Sequence, residues 1–301
     1  MTDSTTLPYR GRFAPSPTGL LHRGSLVAAL ASWLDARVHE GTWLVRIEDI
    51  DPPRDIPGAD RAILAALEGF GLVADEPVLW QHDRYDAYEE ALERLVASGF
   101  VYGCACSRKD VKEADERLGI PYPVYPGTCR TGTNGRAVRA LRFRVPDREV
   151  AFEDRWYGHY AQNVEKAVGD FVVKRADGLW AYQLAVVTDD IASGVTDVVR
   201  GADLLDNTPR QIVLTEALGA RAPRYMHLPL VLNDRGEKLS KQQGATPVDV
   251  TNPLGELERA ARHLGLPTIG ADSTEAFLRA AVPLWAERIA SLPVKVEAER
   301  N

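Results

Sequence analysis

The sequence predicts an α/β fold, a mainly parallel sheet covered by helices, and three observations predict it. A strand, a Pro/Gly turn and a helix follow one another between Gly11 and Gly41. Thr42 to Glu48 is then almost continuously apolar, the pattern of a parallel strand covered on both faces. Strand and helix patterns alternate again from Val195 to Leu232.

Gly11 to Ala14 reads as a short strand, and Pro15-Ser16-Pro17-Thr18-Gly19 as an irregular turn that continues neither neighbour. Leu26, Leu30, Trp33, Leu34 and Val38 recur at helical spacing, and Gly41 is the stop signal. After the apolar strand, Ile56 to Phe70 and Tyr85 to Gly99 have the spacing of amphipathic helices. From about 103 to 169, Cys, Pro, Gly and Arg replace long helical patterns, which predicts an inserted subdomain. Phe171-Val172-Val173-Lys174 and Ala181 to Val187 flank Asp177-Gly178, a strong turn dipeptide, so a hairpin is expected there. Val195 to Val199 and His227 to Leu232 read as buried strands, separated by a helix from Pro209 to Leu218.

With 301 residues and 45% hydrophobic content, the chain has room for one large domain or two ordinary ones. No run of about 18 apolar residues occurs. Met1 to Arg10 has neither a basic nor an apolar signal region, so a cytoplasmic protein with no membrane contact is expected. A net charge of −7 argues against coating nucleic acid by bulk electrostatics and leaves room for a local basic stripe. Arg136, Arg139, Arg142 and Arg144 are a candidate stripe, because alternation in Leu141-Arg142-Phe143-Arg144-Val145 sends both arginines to one face. The other reading is a solvated strand face paired with local Asp and Glu.

Two segments carry nucleotide chemistry. His22 and Gly24 stand where the first helix begins, and free N–H groups and the helix dipole there favour a triphosphate. His22 adds an imidazole donor, and Gly24, lacking a Cβ, admits a ribose or adenine close to the backbone. In Asn233 to Lys241, a Gly-containing loop follows a buried strand, and Lys238 and Lys241 suit charge developing on a leaving pyrophosphate. Either segment alone is ordinary; their joint occurrence is informative.

With Arg12-Phe13-Ala14-Pro15-Ser16-Pro17-Thr18-Gly19 and Arg46-Ile47-Glu48-Asp49 beside them, the chain resembles the class I glutamyl-tRNA synthetase group from about Tyr9 to Gly244. His22-Arg23-Gly24-Ser25 is similar to its His-Ile-Gly-His signature, and Lys238-Leu239-Ser240-Lys241-Gln242 to its Lys-Met-Ser-Lys-Ser. Gly201-Ala202-Asp203 and Asn207-Thr208-Pro209-Arg210-Gln211 extend the match. Arg23, Ser25 and Gln242 depart from the pattern. Ser25 keeps a hydroxyl donor, so the departures bear on transition-state stabilisation more than on nucleotide binding.

The resemblance implies a class I aminoacyl-tRNA synthetase-like Rossmann catalytic domain over 1–246, with an acceptor-type, zinc-containing insertion at about 103–169. Residues 247–301 would be a short helical C-terminal region with no anticodon-binding domain. It implies ATP with Mg2+ and L-glutamate as substrates. His22, Lys238 and Lys241 would act in catalysis, and His22, Gly24, Ser25 and Lys241 would bind ATP. The glutamate pocket would use Arg12, Phe13, Ala14, Pro15, Ser16, Glu48, Tyr182 and Arg200. In it, Arg12 and Arg200 meet carboxylate, Glu48 takes the ammonium, and Tyr182 closes the pocket.

Only 60 residues follow Lys241, so the chain resembles the short paralogues of the group, which attach glutamate to the queuosine base of tRNA(Asp). Cys104-Ala105-Cys106 with Tyr125-Pro126-Gly127-Thr128-Cys129 is similar to their zinc pattern, a closed structural Zn2+ site completed by Tyr125, His159 or water. Three free buried cysteines are the plainer alternative. The competing functions are a truncated conventional enzyme charging a tRNA 3′ end, a small-molecule adenylyltransferase, and a catalytically silent tRNA-binding paralogue.

Overall fold

The computed structural model describes residues 7–119, 123–232 and 247–292. Lys238 and Lys241, with the rest of the segment 233–246, lie outside the described residues.

β1 (Arg10–Phe13) and β2 (Thr42–Ile47) run parallel, joined by α1 (Arg23–Val38). His22 caps α1, its Nδ1 accepting the Ser25 N–H at 3.2 Å. Leu26, Leu30 and Leu34 are fully buried along the helix. Gly41 ends this unit by close approach: a Cβ there would stand 2.5 Å from the Tyr9 carbonyl oxygen. α2 (Ala59–Gly69) starts later than the helical pattern from Ile56, because Gly58 takes the left-handed conformation at its N-cap. β3 (Leu79–Trp80) then pairs parallel with β2, and α3 (Tyr85–Ala97) follows.

The stretch 103–169 divides between two sheets. β4 (Val101–Cys104) leads into α4 (Arg108–Leu118), which opens with a capping box between Ser107 and Asp110. β4 and β5 (Ala140–Phe143) form an antiparallel sheet completed by β8 (Phe171–Lys174). Between β5 and β8, β6 (Glu149–Asp154) and β7 (Gly158–Asn163) make a hairpin followed by the short α5 (Val164–Ala167). α6 (Tyr182–Ala192), β9 (Asp197–Gly201), α7 (Thr208–Ala217) and β10 (Arg224–Leu228) come next, then α8 (Pro253–His263) and α9 (Thr274–Ala290).

β10 pairs parallel with both β9 and β6, so the hairpin strand β6 joins the central sheet. β9 lies beside β1, where the Thr196 N–H donates to the Arg10 carbonyl at 2.9 Å and the Arg10 N–H to Thr196 Oγ1 at 2.9 Å. The spatial order is therefore β3-β2-β1-β9-β10-β6-β7. From β1 the chain builds outward to β3, then returns to β9 on the other side. That reversal leaves a crevice at the carboxyl ends of β1 and β9, the place where open α/β sheets hold ligands.

Each face of the sheet has its own core. Trp43, Val45, Val199 and Met226 pack with α1, α8 and α9 on one side, while Leu44, Val198 and Tyr225 pack with α3, α6 and α7 on the other. This double covering is why β2 reads as continuously apolar.

The expected hairpin through Ala181 to Val187 is corrected. The turn forms, with Gly178 at φ 84 and an isolated bridge from Lys174 to Trp180, but Tyr182 then starts α6. Gln183 through Asp189 are all buried, so the helix shows no polar face, and a short apolar run does not separate helix from strand. β9 and β10 are also displaced from the expected ranges, β10 beginning at Arg224 and ending at Leu228. Among the described residues, no helix is long and apolar enough to cross a membrane.

Candidate active site

A cavity of about 530 Å³ fills the crevice. Residues 12–16 at the end of β1, Glu48 past β2, Tyr182 opening α6 and Arg200 near the end of β9 line it, together with His22, Gly24 and Ser25 at the start of α1. All the described residues expected to bind glutamate or nucleotide thus meet in one space. The chain on either side of 233–246 is also here: Leu230 and Val231 line the cavity, and Pro247 forms a β-bridge with His22.

Arg12 and Glu48 line the inner wall, and Asp190 and Arg46, which do not line it, hold them. Arg12 Nε donates to Asp190 Oδ1 at 3.2 Å. Arg46 donates through Nη1 to Asp190 at 2.6 Å and through Nη2 to Glu48 at 3.0 Å. The terminal nitrogens of Arg12 make no hydrogen bond with any described residue, so its planar fork is presented to the cavity. Burial pushes the Glu48 carboxyl above the usual carboxylate range, against the pull of Arg46 and Arg12. A cation entering beside Glu48 relieves that penalty. Burial also acts on Asp190, but Arg12 and Arg46 outweigh it and hold its carboxyl below the usual range.

Arg200 is held from every side. It donates through Nε to His227 Nε2 at 3.1 Å, through Nη1 to Gln211 at 2.8 Å, and through Nη2 to Thr208 at 2.8 Å and the Leu204 carbonyl at 3.3 Å. Gln211 in turn donates to Gln183 at 3.0 Å. Arg200 therefore brings a fixed positive charge and a single further Nη1 hydrogen, whereas Arg12 brings the two-pronged fork.

At the nucleotide end, His22 Nδ1 accepts from the Ser25 N–H, which places the neutral ring's proton on Nε2. The Ser25 hydroxyl lies 3.0 Å from that nitrogen. Ser25, where the synthetase signature has a second histidine, thus touches the first.

A second cluster lies in the β4–β5–β8 region. The sulfurs of Cys104, Cys106 and Cys129 are all within 4.8 Å of one another. The Tyr125 hydroxyl stands among them, 3.3 Å from Cys104 Sγ and 3.7 Å from Cys106 Sγ, and accepts the Cys129 N–H at 3.0 Å. Arg142 Nε donates to Cys104 Sγ at 3.3 Å while its guanidinium covers the Tyr125 ring at 3.7 Å. Burial opposes thiolate formation at Cys129, yet the Ala105 amide and the Tyr125 hydroxyl bring its thiol down to about 7. Three clustered thiols, one already acid-shifted, suit a thiophilic cation. His159 is elsewhere, its Nδ1 bonded to Glu153 at 2.7 Å across the β6–β7 hairpin. Of the supposed basic stripe, Arg142 turns to the cysteine cluster and Arg144 to the Tyr102 ring and the Arg130 carbonyl, because β5 is an inner strand. Arg136 and Arg139 remain exposed.

Asp190 and His227 were given no role from sequence. Asp189-Asp190 inside an apolar run, and a histidine inside a buried strand, were the available signals.

A parallel sheet with a switch-point cavity, two arginines and a carboxylate on one wall and a capped helix start on the other define a class I synthetase. Residues 9–257 match the family of tRNA synthetases class I (E and Q), catalytic domain, and the chain belongs to that family. Within it, the chain belongs with the glutamyl-Q tRNA(Asp) synthetases. It is 59% identical over 294 residues to the one from Ralstonia nicotianae, covering 95% of this chain and 93% of the relative. It is 57% identical over 288 residues to that of Burkholderia cenocepacia, covering 93% and 97%. Among solved structures, a glutamate tRNA ligase from Elizabethkingia meningosepticum, in complex with its amino acid, superimposes with a TM-score of 0.69 at 30% identity. That match covers 80% of this chain and 54% of the ligase, so the chain spans about half of that protein's length.

Proposed function

We propose that this chain activates L-glutamate with ATP and transfers it to the queuosine base of tRNA(Asp). The observation that supports this most is that Arg12, Glu48 and Arg200 share one cavity with His22 and Gly24. An amino acid with two carboxylates and a triphosphate then lie within reach of each other.

The α-carboxylate of glutamate must stay free to attack the α-phosphorus of ATP. The Arg12 fork and the Arg200 charge accordingly hold the side-chain carboxylate, and Glu48 receives the ammonium. Tyr182 closes the pocket, and residues 13–16 shape its floor. Attack expels pyrophosphate and leaves glutamyl-adenylate; a hydroxyl of the queuosine cyclopentene ring then displaces AMP. No side chain serves as nucleophile. Catalysis rests on positioning and on neutralising phosphate charge.

His22 Nε2, Ser25 and the backbone at Gly24 face the triphosphate, whose Mg2+ arrives with it. Lys238 and Lys241 complete the site, a role supported by the described chain on either side of their segment, where Val231 lines the cavity and Pro247 bridges His22.

Cys104, Cys106 and Cys129, with the Tyr125 hydroxyl, would hold a Zn2+ whose role is structural, tying β4 to the segment before β5. Residues 1–246 would then form the catalytic unit, with 247–301 as a C-terminal extension whose helices α8 and α9 pack on α1.

Glutamate-dependent ATP–pyrophosphate exchange, followed by charging of tRNA(Asp) that carries or lacks queuosine, tests the reading. Exchange should require glutamate and be lost in Lys241→Ala, and label should enter only the queuosine-containing tRNA. No glutamate-dependent exchange overturns the activation step; equal labelling of both tRNAs overturns the acceptor.

A further inference from the structure

Arg23 is the residue of the His22–Ser25 signature that does not line the cavity. It sits in the first turn of α1, where a cation meets the positive end of the helix dipole and needs an anion to offset it. Glu256, in the first turn of α8, is that anion. Its Oε2 lies 3.5 Å from Arg23 Nε, while its Oε1 accepts from Arg259 at 3.1 Å. The Glu256 side chain is 5% exposed and that of Arg23 42%, so the carboxylate is the buried partner. Arg23 Nε and Glu256 Oε2 are buried atoms with no hydrogen bond in the described structure, which leaves charge as the only tie between them.

The same two elements are joined next to this pair. Pro247 bridges His22, and the Val248 N–H donates to the Leu21 carbonyl at 2.9 Å. The segment bearing Lys238 and Lys241 therefore rejoins the described chain against His22, and α8 begins a few residues later. Whatever sets α8 against α1 also sets the spacing between His22 and the return point of those lysines.

We propose that Arg23 and Glu256 form a positioning pair that fixes α8 and the lysine-bearing segment's return against the nucleotide end of the cavity. The pair therefore governs use of ATP and leaves glutamate binding unchanged. Neither residue lines the cavity. The proposal rests on the glutamate-activating function above for its kinetic test, and ATP affinity measured directly frees it from that dependence.

Wild type, Arg23→Met, Glu256→Gln and the exchanged pair Arg23→Glu with Glu256→Arg are compared in two assays. The first is pyrophosphate exchange with ATP and glutamate varied separately; the second is calorimetric titration with ATP. Each single variant should raise the KM and the Kd for ATP about tenfold, within the range that coupled neighbours show, with the glutamate KM within about twofold of wild type. The exchanged pair should recover most of the loss. Unchanged ATP constants in the single variants overturn the proposal, as does an equal rise in both KM values, which marks general loss of structure. Failure of the exchanged pair to recover also overturns it, because Arg23 is then acting on the phosphates itself. If wild type binds ATP without glutamate-dependent exchange, the activity reading fails and the calorimetric comparison still decides the pair.

Discussion

Arg200 Nε donates to His227 Nε2 across 3.1 Å, and both side chains are buried. Because Nε2 accepts, the ring proton sits on Nδ1, which donates to Asp154 at 2.6 Å. The orientation of the Arg200 charge is thus set from β10 and β6, behind the cavity.

His227→Leu should raise the glutamate KM roughly 10- to 100-fold, the cost of removing one hydrogen bond to a charged group, with a small effect on kcat. A similar fall in kcat would show that the bond serves the transition state instead. The pH dependence follows from burial, which with the Arg200 charge holds the His227 imidazole below its ordinary value despite Asp154. The unfolded chain then takes up the proton first as pH falls. The resulting stability is fully present above about 6.5 and lost below it, so wild-type Tm should fall more steeply than that of His227→Leu between pH 7 and 5.

Asp35 on α1 is completely buried and ties three distant parts of the chain together. It accepts from the Tyr9 hydroxyl at 2.6 Å, from Arg155 at 2.5 and 2.8 Å, and from Trp285 Nε1 at 3.3 Å. Asp35→Ala leaves those donors buried without an acceptor and should cost about 3–5 kcal/mol in urea unfolding. A loss under about 1 kcal/mol would mean that water replaces the carboxylate.

Asp55 lies in the acidic turn after β2, where burial, Asp49 and Asp51 push its carboxyl up to about 6. The folded state thus prefers the protonated form, and the penalty appears as pH rises through about 6. Asp55→Asn should raise Tm at pH 8 and leave it nearly unchanged at about pH 3, below the ordinary Asp value of about 3.9, where folded and unfolded carboxyls are both largely protonated. A gain that persists undiminished at that low pH would trace to packing.

Elemental analysis tests the cysteine cluster. Purified protein should carry about one zinc per chain. Cys129→Ser should lose it, His159→Ala should keep it, and Tyr125→Phe should release it sooner to a chelator. Retention in Cys129→Ser would remove that thiol from the ligand set.

The opening strand, helix and strand were legible because their pattern is local and the double covering of β2 leaves no polar face to confuse it. α4 escaped notice although Ser107 and Asp110 spell its cap, because the surrounding Cys, Pro and Gly suggested irregular chain. α6 read as a strand for the opposite reason: burial on nearly every side removed the helical period.

From the sequence alone came the residue types and order that point to glutamate and ATP: Arg12 to Ser16, His22 to Ser25, Glu48, Tyr182 and Arg200. Those segments declare themselves through local spacing. Only the tertiary structure decided which arginine offers a free fork, that Asp190 and His227 orient the two arginines, and that Arg23 faces Glu256. These facts depend on side chains up to 233 positions apart, Arg23 and Glu256 among them, being brought together by the sheet reversal and by packing of α8 on α1. A contact of that kind leaves no periodic trace along the chain, because the energy that selects it is felt only after the core has formed.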